Sequence, residues 1–98
     1  MEYELIVSER SDEEARTAVE YYDQISPSLG ERFFVELLEI YQKLAISPQF
    51  YSFISSTRAS SVRDIKFPSF PYVVIFRVWD DKVYVISVRN SYKRPLFS

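Results

Sequence analysis

The chain has 98 residues, room for one domain, and at 47% hydrophobic with eight Phe, eight Tyr and one Trp it can bury a dense aromatic core. It contains no Cys and no His, which excludes disulfides, thiolate metal sites and the commonest general base, while its net charge of −2 argues against bulk nucleic-acid binding. The opening residues lack the basic-then-apolar pattern of a secretory signal, and no run approaches the ~20 apolar residues of a membrane span. A single domain over residues 1–98 in a reducing cytoplasm is expected, with no metal or cofactor.

Residues 3–7 alternate, with Tyr3, Leu5 and Val7 against Glu2, Glu4 and Ile6, and predict a first strand. Ser11-Asp12-Glu13-Glu14 fits a capping box with Ser11 as N-cap, and predicts a helix to about Gln24 whose apolar stripe is Ala15, Ala18, Val19 and Tyr22. Ser26-Pro27-Ser28 breaks that pattern, and Pro27 opens a second helix to about Ile46. Its wide apolar face, including Phe33, Leu37, Ile40 and Leu44, predicts the most buried element. Two helices on so short a joint make a helical hairpin. The acids Glu13, Glu14, Glu20, Glu36 and Glu39 read as solvated helix faces.

The serine-rich residues 47–61 predict a loop, with Phe50, Tyr51 and Phe53 tucked beneath it. A second strand follows at 62–67, then a turn from Pro68 to Pro71. Residues 72–79 and 83–89 read as strong strands joined by Asp80-Asp81-Lys82. Matching Tyr72, Val74, Phe76 and Val78 to Tyr84, Ile86 and Val88 places Arg77, Ser87 and Arg89 together on the opposite face. That registry needs an odd-length loop or a bulge. The expected fold is therefore α+β, in the order β-α-α-β-β-β: an N-terminal strand, a helical hairpin that covers the apolar side of the sheet, and a three-stranded antiparallel sheet. Charge divides along the same line. Residues 1–49 hold four basic against eleven acidic residues, and residues 50–98 hold eight against three. The asymmetry alone names no partner.

Several strings in this order resemble the ParE/RelE toxin superfamily. Ala18-Val19-Glu20-Tyr21-Tyr22, Leu29-Gly30-Glu31-Arg32-Phe33 and Leu44-Ala45-Ile46-Ser47-Pro48 look like its helical hairpin. Arg63 followed by Phe70-Pro71-Tyr72 looks like the start of its central sheet, and Asn90-Ser91-Tyr92-Lys93-Arg94-Pro95 is similar to its closing His-x-x-Arg-x-Pro. The resemblance implies a toxin of a type II toxin–antitoxin system, neutralised by a cognate antitoxin in a hetero-oligomer that contacts operator DNA only through the antitoxin. ParE-like members of the superfamily poison DNA gyrase, and RelE-like members cut mRNA on the ribosome.

The departures favour the ParE-like branch. Asn90 replaces the closing His, and Lys93 the following Arg. Val73 stands where ribonuclease-branch members place an Arg, and Phe97 where they place a Tyr. Phe has no hydroxyl to transfer a proton. A ribonuclease here would be left with Arg63, Lys66 and Arg94 as cations and no evident base. As contacts for a target or antitoxin, the candidates are Arg63, Arg77, Arg89, Asn90, Tyr92, Lys93 and Arg94. A third alternative is a detoxified member that retains antitoxin binding or operon regulation.

Overall fold

Six elements appear in the expected order in the computed structural model, which describes residues 3–46 and 62–91. They are β1 (Glu4–Val7), α1 (Glu9–Ile25), α2 (Pro27–Ile46), β2 (Val62–Lys66), β3 (Tyr72–Trp79) and β4 (Lys82–Asn90). The strands form one four-stranded sheet in the order β1-β4-β3-β2. β2, β3 and β4 are antiparallel neighbours, and β1 adds to them parallel to β4 with Leu5 opposite Val83 and Val7 opposite Val85. The expected loop over residues 47–61 lies outside the described residues.

The first helix begins earlier than its local pattern predicts. Ser8, not Ser11, is the N-cap, and its hydroxyl accepts from the Ser11 N–H at 3.1 Å. The reason is non-local. β1 ends at Val7, so β4 would expose backbone groups on that side from Val85 onward. The first turns of α1 take over the edge. The Ser8 N–H donates to the Val85 carbonyl at 3.1 Å, the Ser8 hydroxyl lies 3.2 Å from the Ile86 carbonyl, and the Ser11 hydroxyl lies 3.3 Å from that of Val85. Glu14 completes the cover, its Oε1 accepting from the Val88 N–H at 2.9 Å and the Ser87 hydroxyl at 2.7 Å. Four strand groups that need partners thus find them on a helix. Ser11 is fully buried by this role.

The β3–β4 hairpin turns on Asp80 and Asp81, with Trp79 opposite Lys82. Asp80 takes a left-handed φ of 60°. That two-residue turn pairs odd with even positions: Val78 meets Val83, Arg77 meets Tyr84 and Phe76 meets Val85. A bulge then restores equal parity, so that Ile75 meets Ser87 and Val73 meets Arg89. The bulge required by the apolar matching is present. Its position corrects one assignment: Val83 and Val85 face the helices, and Tyr84 and Ile86 do not.

The helices cover the face formed by Val74, Phe76, Val83, Val85 and Val88, and supply Ala15, Ala18, Phe33, Leu37, Ile40 and Leu44 to the shared core. Phe33 is fully buried at its centre. It stacks on Phe67 with centroids 4.5 Å apart and meets Phe70 and Tyr72 edge-on at 5.1 Å, while Tyr22 closes on Phe70 at 4.7 Å. The turn before β3 is thereby pinned to the hairpin. Gly30, the one glycine, sits where α2 crosses α1; a Cβ there would lie 2.6 Å from Asp23 Oδ1. Glu36 is not the solvated acid expected of it. It is 8% exposed, accepts from the Ser69 N–H at 3.2 Å and lies 3.6 Å from Arg32 Nε, so it also ties the turn to α2.

Candidate functional site

Side chains alternate across a strand, so the register sorts the candidate residues between the two sides of the sheet. Arg63 pairs with Phe76 and Asn90 with Tyr72, which places both on the helix side. Lys66 pairs with Val73, Arg77 with Tyr84 and Arg89 with Val73, which places these three on the outer side. Arg77 and Arg89 therefore share a side, as expected. Arg63 and Lys66 do not, so the cations of the nuclease alternative are split by the sheet. Tyr92, Lys93 and Arg94, with Phe97, lie outside the described residues. Asn90 ends β4, and its side chain hydrogen-bonds Tyr72; burial raises the Tyr72 phenol above its usual range and that bond partly offsets the rise.

The outer side is neither fully covered nor fully open. Val73, Ile75 and Ser87 are buried, whereas Arg77 and Trp79 are exposed. Across β3, β4 and β1 the register builds two adjacent rows: Arg77–Tyr84–Ile6 and Trp79–Lys82–Glu4. The Arg77 guanidinium lies over the Trp79 ring, 5.6 Å from its centroid. Trp79 itself is 62% exposed. Arg77, Trp79, Tyr84 and Ile86 line one depression of about 410 Å³, and Ile6, Ser8, Arg10, Tyr84 and Ile86 line a second of about 250 Å³. Tyr84 and Ile86 belong to both, so the two form one trough. Sequence reasoning named Arg77 here and missed Trp79 and Tyr84. The available signal was the lone Trp two positions from Arg77 on the same strand face.

A second concave surface lies on the helices. Between α1 and α2 runs an apolar groove of about 540 Å³, floored by Val7, Ala15, Val19, Phe34, Leu38 and Tyr41. Asp12, Arg16 and Glu20 stand at its rim. Phe34 and Leu38 are exposed, although a helix of a lone domain ordinarily turns such side chains inward. Burial, with the Asp12 charge adding to it, pushes the Tyr41 phenol up to about 12.

A third cleft, of about 310 Å³, lies where α1 passes the end of β4, with Arg10, Glu14, Thr17, Tyr72, Arg89 and Asn90 among its lining. Arg89 Nε and Nη1 are buried without a hydrogen-bond acceptor among the described residues. Among the described residues no cluster of three or more Asp, Glu, His or Cys is placed to hold a metal ion, and no helix is long and apolar enough to cross a membrane.

No protein-family model and no curated protein matches the sequence. The fold does have a solved counterpart: a chain of the chromosomal ParDE TA system from P. aeruginosa superposes with a TM-score of 0.74 at 16% identity, over 90% of this chain and 95% of that one. The β-α-α-β-β-β chain described above therefore has the ParE-like α+β fold.

Proposed function

We propose that this protein is the toxin of a type II toxin–antitoxin system of the ParE-like kind, which acts by gripping a protein target, DNA gyrase, and is silenced by a cognate antitoxin. The observation that carries the reading is the superposition over nearly the whole of both chains with a member of a ParDE system. Two features of the molecule support a binding mode of action. Val73, where a ribonuclease would need a cation, is a buried strand residue, and Arg63 and Lys66 stand on opposite sides of β2. The apolar groove between α1 and α2 suits the nonpolar face of an antitoxin helix, the helix-in-groove mode of recognition.

Inducing the chain alone in bacterial cells tests the proposal. Growth arrest with a DNA-damage response, relieved by co-expression of the adjacent gene, is the expected result. Unimpaired growth at high expression would sink it, and arrest accompanied by ribosome-dependent mRNA cleavage would replace gyrase with the ribosome as target.

A further inference from the structure

We infer that the trough across the outer side of β3, β4 and β1 is the surface that holds the target protein, and that it takes a partner presenting a carboxylate next to an apolar side chain. This rests on the toxin reading and adds to it a place and a chemistry. The residue types are those that dominate protein–protein binding energy: one Trp, one Tyr and an Arg in contact, around a concave apolar floor. Among the described residues Arg77 makes no salt bridge, and its guanidinium lies over the Trp79 ring, 5.6 Å from the centroid. A guanidinium set over an aromatic face keeps its edge N–H fork available to a carboxylate. Beside it Tyr84, Ile86 and Ile6 form the apolar floor, and Arg10 lines the far end.

The surroundings select protein over nucleic acid. A polyanion is held by a run of unpaired cations. Here Lys82 lies 3.5 Å from Asp81 and 4.0 Å from Glu4, and Arg10 lies 3.5 Å from Glu14, so among the described residues of the trough Arg77 is the cation left to meet an acid, while Lys66 and Arg89, on the same side, pair with Val73 farther along β3 and line neither depression. Asp80 and Asp81 border the Trp79 end and repel a phosphate backbone.

Trp79 is the single tryptophan, so 5-fluorotryptophan gives one 19F resonance at the centre of the surface. The full chain so labelled is titrated with purified, unlabelled DNA gyrase. We expect that resonance to change chemical shift, beyond the broadening that slow tumbling of the complex brings at any surface, and Arg77→Glu and Tyr84→Ser each to weaken binding about 30-fold or more. Arg77→Lys should fall between Arg77→Glu and the wild type, and urea midpoints should be unchanged, since Arg77 is exposed and outside the core. Gyrase binding with an unmoved resonance, or undiminished in both variants, overturns the trough and leaves the toxin reading intact. If the chain arrests growth without binding gyrase, the variants are read in cells: loss of arrest at equal expression supports the trough, and retained arrest overturns it. A chain that neither arrests growth nor binds gyrase overturns both. A response to single-stranded RNA in place of protein overturns the assigned partner.

Discussion

Tyr41 shows what a half-closed apolar groove does to a single side chain. Its phenol is raised to about 12, first by burial and then by the charge of Asp12. A raised acid favours the fold while it stays protonated. That contribution is complete below pH 10, where a tyrosine of the unfolded chain begins to ionise, and it fades as pH climbs from 10 towards about 12. Urea unfolding followed across pH 8 to 12 should therefore show a steep alkaline loss, and Tyr41→Phe should flatten it. An identical slope in the variant would mean that Tyr41 is not the group responsible. The cap of α1 marks the limit of reading at this scale. Ser11-Asp12-Glu13-Glu14 is a good local capping box, and nothing within four residues favours Ser8 over Ser11. The choice is made by the carbonyls of Val85 and Ile86, 74 and 78 residues away. Glu36 is similar: its partner at Ser69 is 33 residues distant, so no local pattern reveals its burial.

The elements themselves were legible because their periods were clean. Pro27 opened α2, the wide apolar stripe of Phe33, Leu37, Ile40 and Leu44 set its buried face, and each of those four side chains is in the core. β3 and β4 were equally plain as strands. Their faces were harder, because β4 alternates two apolar sets. Val83 and Val85 fit the core as well as Tyr84 and Ile86 do, and only the position of the bulge decides between them. The same ambiguity hid the trough, since Tyr84 read as interior. The aromatic cluster gives this scale its prediction. Phe33 has no exposed surface and touches rings from α1 and from the turn before β3. Phe33→Ala should cost about 3–5 kcal/mol in urea denaturation. Tyr22→Ala, on the more accessible flank of the cluster, should cost distinctly less. Equal losses would mean that the cluster has no centre.

At the scale of the molecule, the two concave surfaces face different ways: the groove on the helices, the trough on the far side of the sheet. On the proposed reading they belong to different partners. Phe34→Glu, which puts a charge on the groove floor, should abolish neutralisation by the antitoxin and leave growth arrest intact. Pull-down with the antitoxin and a growth curve measure the two effects separately; loss of both would place the two partners on one surface.

The parallel pairing of β1 with β4 also fixes an order of events in the life of the chain. The partner of the first strand is the last strand described, so the N-terminal segment has nothing to pair with until almost the whole sequence has been translated. Until then the helical hairpin lacks the cover of Val83, Val85 and Val88, and the trough does not exist, since Ile6, Tyr84 and Arg77 come together only when β1, β4 and β3 align. On the proposed reading, the surface that would hold a target is completed only when β4 has been made. On that same reading, an antitoxin helix could reach the hairpin before the trough had formed.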